Sequence, residues 1–158
     1  MKLTQLLEHL QYEVIQGNDD IMVTELVNDS RRVCEGSVFV CISGAVSDGH
    51  SYIADVAEKK AAAVIVEKDV KLPEGLTVIK VSDTRYALAL MSAAYFGYPA
   101  DRLKVIGITG TKGKTTTTYM VKSILEGVGH KVGLIGTIEV LIGDKSIPAN
   151  NTTPESYT

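Results

Sequence analysis

Residues 105–116 read V-I-G-I-T-G-T-K-G-K-T-T, and this stretch decides the fold. Val105, Ile106 and Ile108 have the composition of a buried strand. Gly110, Thr111, Lys112 and Gly113 follow as a turn, and Lys114, Thr115 and Thr116 open a helix. Strand, glycine turn and helix start form the context a phosphate-binding loop needs. The glycines let the backbone wrap closely enough to aim several N–H groups at one anion. The helix start adds its own free N–H groups and partial positive charge. Lys114 is placed to reach the outer phosphates of a nucleotide, and the Thr115 hydroxyl to ligate Mg²⁺. The spacing departs from the strict G-x-x-x-x-G-K-[ST] pattern, because Ile108 stands where the first glycine belongs, flanked by Gly107 and Gly110. A chance Gly-Lys-Thr in an ordinary turn is the plainer reading. The apolar segment before it and the helical pattern after it weigh against that.

Working outward, 158 residues are enough to bury a real core, in one domain or in one domain and part of another. The net charge of −3 argues against a general nucleic-acid binder. No apolar run approaches ~18 residues, which leaves no membrane span. The start, M-K-L-T-Q-L-L-E-H-L-Q, carries Glu8 and His9 within its apolar stripe and reads as an amphipathic helix, not a secretion signal. Cys34 and Cys41 lack metal-site spacing and read as buried thiols of a reducing cytoplasm. The chain stops at P-E-S-Y-T, where Pro154 and Glu155 look like a helix start, so a fragment is expected.

The pattern predicts a helix over 3–11 and strands at 21–28, 37–42, 62–66 and 77–81. Helices are predicted at about 52–60, and after Ser82 or Asp83 with Leu88, Met91, Ala94 and Tyr95 on one face. Gly97-Tyr98-Pro99 reads as a domain boundary. Beyond it come a strand at 103–109, a helix at 114–126, a strand at 130–136 and one more over 137–142 that turns at Gly143-Asp144. Strands alternating with helical patterns give an α/β protein. Its first domain is 1–98, and its second, 99–158, is the opening of a P-loop-type ATPase domain.

Two further stretches gain meaning beside the loop. Asp29-Ser30-Arg31, after an apolar segment, reads alone as a polar turn. Asn151-Thr152-Thr153-Pro154 reads alone as a helix cap. The other histidines are plainer: His130 follows a helix end, His9 lies on a helix surface, His50 in a loop, and Asp48 reads as a turn residue.

The loop T-G-T-K-G-K-T-T resembles the ATP loop of the Mur ligase family, which builds the peptidoglycan stem peptide; it is found also in the related folylpolyglutamate synthases. Lys112 stands where the family usually has Asn. The D-S-R loop, the apolar strand S-V-F-V at 37–40 and the Gly44–His50 loop occur here in the order seen in the family members that add the third stem-peptide residue. The resemblance spans essentially all of the chain. It implies an ATP-dependent acid–amino-acid ligase of the cytoplasm. Its N-terminal domain takes UDP-N-acetylmuramoyl-L-Ala-D-Glu, and its product carries an added diamino acid, meso-diaminopimelate or L-lysine. It implies ATP and Mg²⁺ as cofactors, with Gly110, Thr111, Lys112, Gly113, Lys114, Thr115 and Thr116 holding ATP. Lys114 takes the catalytic role and Thr115 the metal. Ser30, with Asn28 and Asp29 beside it, contacts the UDP part, and Gly44, Ala45 and Val46 line the same pocket. Asn151, Thr152 and Thr153 bind the muramoyl substrate. The family's carbamylated lysine, second-metal acid and amino-acid-selecting domain fall beyond residue 158, so these residues alone are expected to be inactive. Two other readings stand beside this one: another Mur ligase or a folylpolyglutamate synthase, and a non-catalytic module that holds ATP as a structural ligand.

Overall fold

The computed structural model describes residues 1–44, 47–149, 154 and 156–157. It divides the chain into two compact units, Met1–Leu103 and Lys104–Ser156.

The first unit is built on four short, apolar, β-branched runs. β2 (Leu26–Val27), β3 (Val38–Val40), β4 (Ala63–Val66) and β5 (Thr77–Val81) pair in parallel, and β1 (Tyr12–Gln16) joins β5 antiparallel. The sheet order is β1-β5-β4-β3-β2. β3 and β4 are buried at every position, as strands covered on both faces must be. Alternation sorts their side chains. Val38, Val40, Ala63, Ile65, Ile79 and Val81 enter one core with Leu3, Leu6, Leu88 and Met91, from α1 (Leu3–Leu6) and α3 (Thr84–Tyr95). Phe39, Val64, Val66 and Val78 enter the other core, with Ile53 and Val56 of α2 (Ile53–Glu58). The parallel crossover from β4 to β5 contains no helix; Val70 and Leu76 of that connection pack into the second core. α3 starts where a cap permits: the Asp83 carboxylate accepts the Tyr86 N–H at 2.9 Å.

In the second unit, α4 (Lys114–Gly127) is followed by the antiparallel strands β6 (Gly133–Ile135), β7 (Glu139–Ile142) and β8 (Lys145–Pro148), in that sheet order. Glu139 accepts the Tyr119 hydroxyl of α4 at 2.5 Å and also that of Ser146 on β8.

Several expectations need correction. The first helix ends at Leu6, and residues 12–16 form an edge strand with Val14 and Ile15 exposed. The strand expected over 21–28 pairs only at Leu26–Val27, with one isolated bridge from Met22 to Lys2. Residues 104–110 form no strand, and Val105 and Ile106 are 74% and 61% exposed. An apolar run becomes a buried strand only when neighbours take its backbone groups and cover its side chains; no described segment pairs with this one. Cys34 is exposed, while Cys41 is fully buried, which pushes its thiol up to about 12. His9 lies beyond the helix and sets its ring edge-on to Tyr98.

Candidate functional site

The loops after β2, β3, β4 and β5 all leave the carboxyl edge of the parallel sheet. In open α/β sheets ligands bind in the crevice outside that edge. After β2, Asp29 turns the chain. Its Oδ1 accepts the Arg31 N–H at 3.0 Å and Nε–H at 2.9 Å, and its Oδ2 accepts Nη2–H at 2.6 Å. These Arg31 side-chain and backbone bonds hold the Asp29 carboxyl down at about 2. Ser30 sits at the bend. Its carbonyl accepts the Lys59 ammonium at 2.7 Å, and its hydroxyl has no hydrogen-bond partner among the described residues. Ser30, Arg31, Tyr52, Asp55, Glu58 and Lys59 line an open cleft of about 580 Å³. The lining balances two cations, Arg31 and Lys59, against two carboxylates, Asp55 and Glu58, around the Ser30 hydroxyl, a mixed polar surface that suits a hydroxyl-bearing ligand.

The loop after β3 closes on itself: Gly44 N–H donates to Ser47 O and Gly49 N–H to Ile42 O, both at 2.9 Å. Gly49 is required by close approach, since a Cβ there would lie 2.7 Å from the Ile42 nitrogen. Asp48 caps the 3₁₀ turn Gly49–Tyr52 by accepting the His50 N–H at 3.1 Å. Its Oδ1 also meets His50 Nδ1 at 2.6 Å, and its Oδ2 takes the Lys68 ammonium. Those contacts, the Lys68 bond foremost, hold the Asp48 carboxyl well below the usual carboxylate range. The other ring nitrogen of His50, Nε2, accepts the Glu67 backbone N–H at 3.2 Å, just past the end of β4. Glu67 in turn accepts the Ser43 hydroxyl at 2.7 Å, and the Thr84 N–H and hydroxyl at 3.0 and 2.8 Å. The Thr84 N–H bond, then the Ser43 bond, hold its carboxyl down at about 2. Ala45 and Val46 lie outside the described residues.

The second unit carries the glycine loop. Gly113 has φ +78°, a left-handed conformation that glycine adopts without cost, and it stands at the N-cap of α4. The chain enters the helix with no side-chain cap. Thr117 N–H is the first to find a helical acceptor, Gly113 O, at 2.9 Å. The N–H groups of Thr111, Lys112, Gly113, Lys114, Thr115 and Thr116 have no acceptor among the described residues. Six donors around one bend, at a helix N-terminus, fit a chain of phosphates. The Lys114 ammonium folds back over the bend and donates to Gly110 O at 2.6 Å. The Thr115 hydroxyl has no partner among the described residues, and Lys112 is exposed.

The sequence-predicted residues therefore fall into two groups. Ser30 and Asp29 lie at the carboxyl edge of the first unit. Gly110, Thr111, Lys112, Gly113, Lys114, Thr115 and Thr116 form one continuous bend in the second. Asn151, Thr152 and Thr153 lie outside the described residues. Sequence reading missed Tyr52, Lys59, His50 and Glu67. Nothing in the sequence marks the bond between His50 and the Glu67 N–H, which links residues seventeen apart.

An α/β unit with a ligand crevice at its sheet edge, followed by a glycine bend of free amides with a lysine, defines the class: a nucleotide-binding α/β protein. Comparison with known proteins makes this specific. The family profile described as Mur ligase family, catalytic domain, matches residues 22–96, and that of the Mur ligase middle domain matches residues 108–158. The UDP-N-acetylmuramoyl-L-alanyl-D-glutamate--2,6-diaminopimelate ligase of Clostridium perfringens is 53% identical over 157 residues, covering 99% of this chain and 32% of that relative. The ligase of the same name from Bacillus velezensis is 47% identical over 159 residues, covering 100% of this chain and 32% of its own. Among solved structures, MurF from Acinetobacter baumannii aligns with TM-score 0.56 and 28% identity, over 85% of this chain and 30% of that one. A structure of a UDP-N-acetylmuramoyl-L-alanyl-D-glutamate--2,6-diaminopimelate ligase aligns with TM-score 0.73 and 20% identity, over 99% of this chain and 31% of that one, and shares the fold. The chain belongs to the Mur ligase family. It spans about a third of the length of the curated relatives it matches, 32% in the first two.

Proposed function

We propose that this chain supplies the UDP-substrate domain and the start of the ATP-binding domain of a ligase. That ligase joins 2,6-diaminopimelate to UDP-N-acetylmuramoyl-L-Ala-D-Glu in the cytoplasm at the expense of ATP. The division of labour is 1–98 for the UDP substrate and 99–158 for ATP. The observation that carries the reading is the bend at 110–116, with its six unclaimed N–H groups and the Lys114 ammonium. It stands in a chain 53% identical to a ligase of that name.

The chemical difficulty is electrostatic. A substrate carboxylate must approach the γ-phosphate of ATP, and like charges repel. The bend answers with fixed dipoles: its amides are already oriented and need no reorganisation when charge develops. Lys114 exchanges the Gly110 carbonyl for phosphate oxygens. Lys112 adds a second cation to the same bend. Among the described residues no cluster of three His, Cys, Asp or Glu side chains forms a metal site. The Thr115 hydroxyl, next to Lys114 at the helix start and without a partner among the described residues, would be the protein ligand this segment offers to Mg²⁺, which supplies Lewis-acid charge when bound. Attack of the carboxylate oxygen on the γ-phosphorus breaks its bond to the β-phosphate and releases ADP. The amine then attacks the acyl carbon of the resulting acyl phosphate, loses a proton and releases inorganic phosphate, leaving the amide. In the first unit, Ser30 and its cleft hold the UDP end of the substrate; the muramoyl part falls to Asn151, Thr152 and Thr153 of the second.

Replacing Lys114 by Ala in the full-length protein is expected to lower ligation by roughly a hundred- to a thousandfold, with the fold intact. Phosphate release with UDP-N-acetylmuramoyl-L-Ala-D-Glu, ATP, Mg²⁺ and diaminopimelate measures it. Turnover close to that of the unaltered protein would defeat the assignment.

A further inference from the structure

The buried imidazole of His50 is unused by the proposal above. Its side chain is 4% exposed, and both ring nitrogens are engaged. Nε2 accepts a backbone N–H from Glu67, so it carries no proton. The proton therefore sits on Nδ1 and is donated to Asp48 Oδ1, 2.6 Å away. The ring is a neutral bridge of fixed tautomer. It joins the loop after β3 to the end of β4, two adjacent strands at the carboxyl edge.

The titratable and charged groups around the ring come from both sides. Asp48 precedes it on its own loop, held also by Lys68, and Glu67 follows β4, its carboxylate turned to Ser43 and Thr84. The bridge thus fixes the base of the Ser43–Asp48 hairpin and the start of the 3₁₀ turn. Two residues after His50, that turn carries Tyr52, which walls the cleft beside Ser30 and Arg31.

We infer that His50 is a positioning residue for the nucleotide cleft. Its Asp48–His50–Glu67 bridge sets the 3₁₀ turn so that Tyr52 lines the cleft with Ser30 and Arg31. The inference rests on the UDP-site reading above. It adds that the shape of the cleft depends on a neutral histidine of one tautomer, which neither motif nor charge would indicate. A bridge centred on a buried ring with both nitrogens engaged is held in one geometry, and removing the ring leaves the Glu67 N–H without its acceptor.

The test uses the full-length protein, UDP as probe, and three forms: unaltered, His50→Gln and Tyr52→Ala. Long-range proton–nitrogen spectra of the unaltered imidazole are expected to show Nδ1 protonated and Nε2 bare; the reverse tautomer overturns the bridge. Calorimetry is expected to show UDP affinity lowered roughly tenfold in His50→Gln. Tyr52 is 37% exposed, so Tyr52→Ala tests the wall in a chain whose fold is undisturbed; the same direction of loss is expected. In the unaltered protein, UDP is expected to shift the Tyr52 ring resonances. If His50→Gln lowers stability while the folded protein keeps full UDP affinity, or if Tyr52→Ala binds UDP unchanged, the inference falls and the UDP site stands. Should the unaltered chain fail to bind UDP, the reading beneath it falls as well, and the inference with it.

Discussion

Glu67→Gln is the substitution whose effect follows most directly from the geometry. Glu67 is partly exposed, yet its two oxygens take three hydrogen bonds, from Ser43 and from the Thr84 N–H and hydroxyl. Those bonds favour the carboxylate and bring its pKa from 4.5 to about 2. A fall of that size corresponds to ~3 kcal/mol of preference for the charged form in the folded chain. Solvent screening at a partly exposed site brings the realised stabilisation to ~1.5 kcal/mol. The sign follows from proton binding. Between pH ~4.5 and ~2 the unfolded chain holds a proton on Glu67 that the folded chain does not. The stabilisation is therefore complete above pH ~5, and is lost as pH falls through the folded value. Glutamine keeps an acceptor for Thr84 but carries no charge and does not titrate. Urea unfolding at pH ~7 is expected to show Glu67→Gln less stable by ~1.5 kcal/mol, and at pH ~3 by less than half of that. A difference that stays constant between the two pH values, or that is absent at pH ~7, refutes the assigned role of the carboxylate.

Two further perturbations test the frame that holds the carboxyl edge. Gly49→Ala places a Cβ 2.7 Å from the Ile42 nitrogen and 3.0 Å from the Cys41 Cα, both backbone atoms, so the backbone here, just after β3, must shift; a loss of ~2–3 kcal/mol is expected in urea unfolding, and an unchanged midpoint would contradict the close approach. Asp83→Ala removes the 2.9 Å bond to the Tyr86 N–H at the start of α3; a loss of ~1 kcal/mol is expected from the thermal midpoint, with Asp83→Asn close to the unaltered chain.

What could be read from the sequence divides along physical lines. Thr77–Val81 was legible to the residue, and the cores of the runs at 37–42 and 62–66 were legible too, because a continuous β-branched stretch bounded by polar residues has few other uses. Asp83 announced α3 by local chemistry, and Lys114 followed a glycine bend into α4 just as its N-terminus requires. Tyr12–Gln16 was hidden because it is an edge strand. Val14 and Ile15 are both partly exposed, and the register shifts between Val14 and Gln16, so no buried stripe marks it, and its pairing with Val81 lies 69 residues away in sequence. Val105, Ile106 and Ile108 misled for the opposite reason: their pattern is that of a covered strand, but cover comes from partners and not from the run itself. The bend at 110–116 was legible since its chemistry is contiguous. The bridge from His50 to Glu67 was not, since it exists only once β3 and β4 lie side by side.

The central claim is that the amides of residues 111–116 and the Lys114 ammonium receive the phosphates of ATP. The most direct measurement is the amide spectrum of the full-length protein, selectively labelled at glycine, lysine and threonine, during titration with ATP and Mg²⁺. Saturable shifts at Thr111, Lys112, Gly113, Lys114, Thr115 and Thr116, lost in Lys114→Ala, are expected. Saturable ATP binding that leaves those six amides unmoved would contradict it.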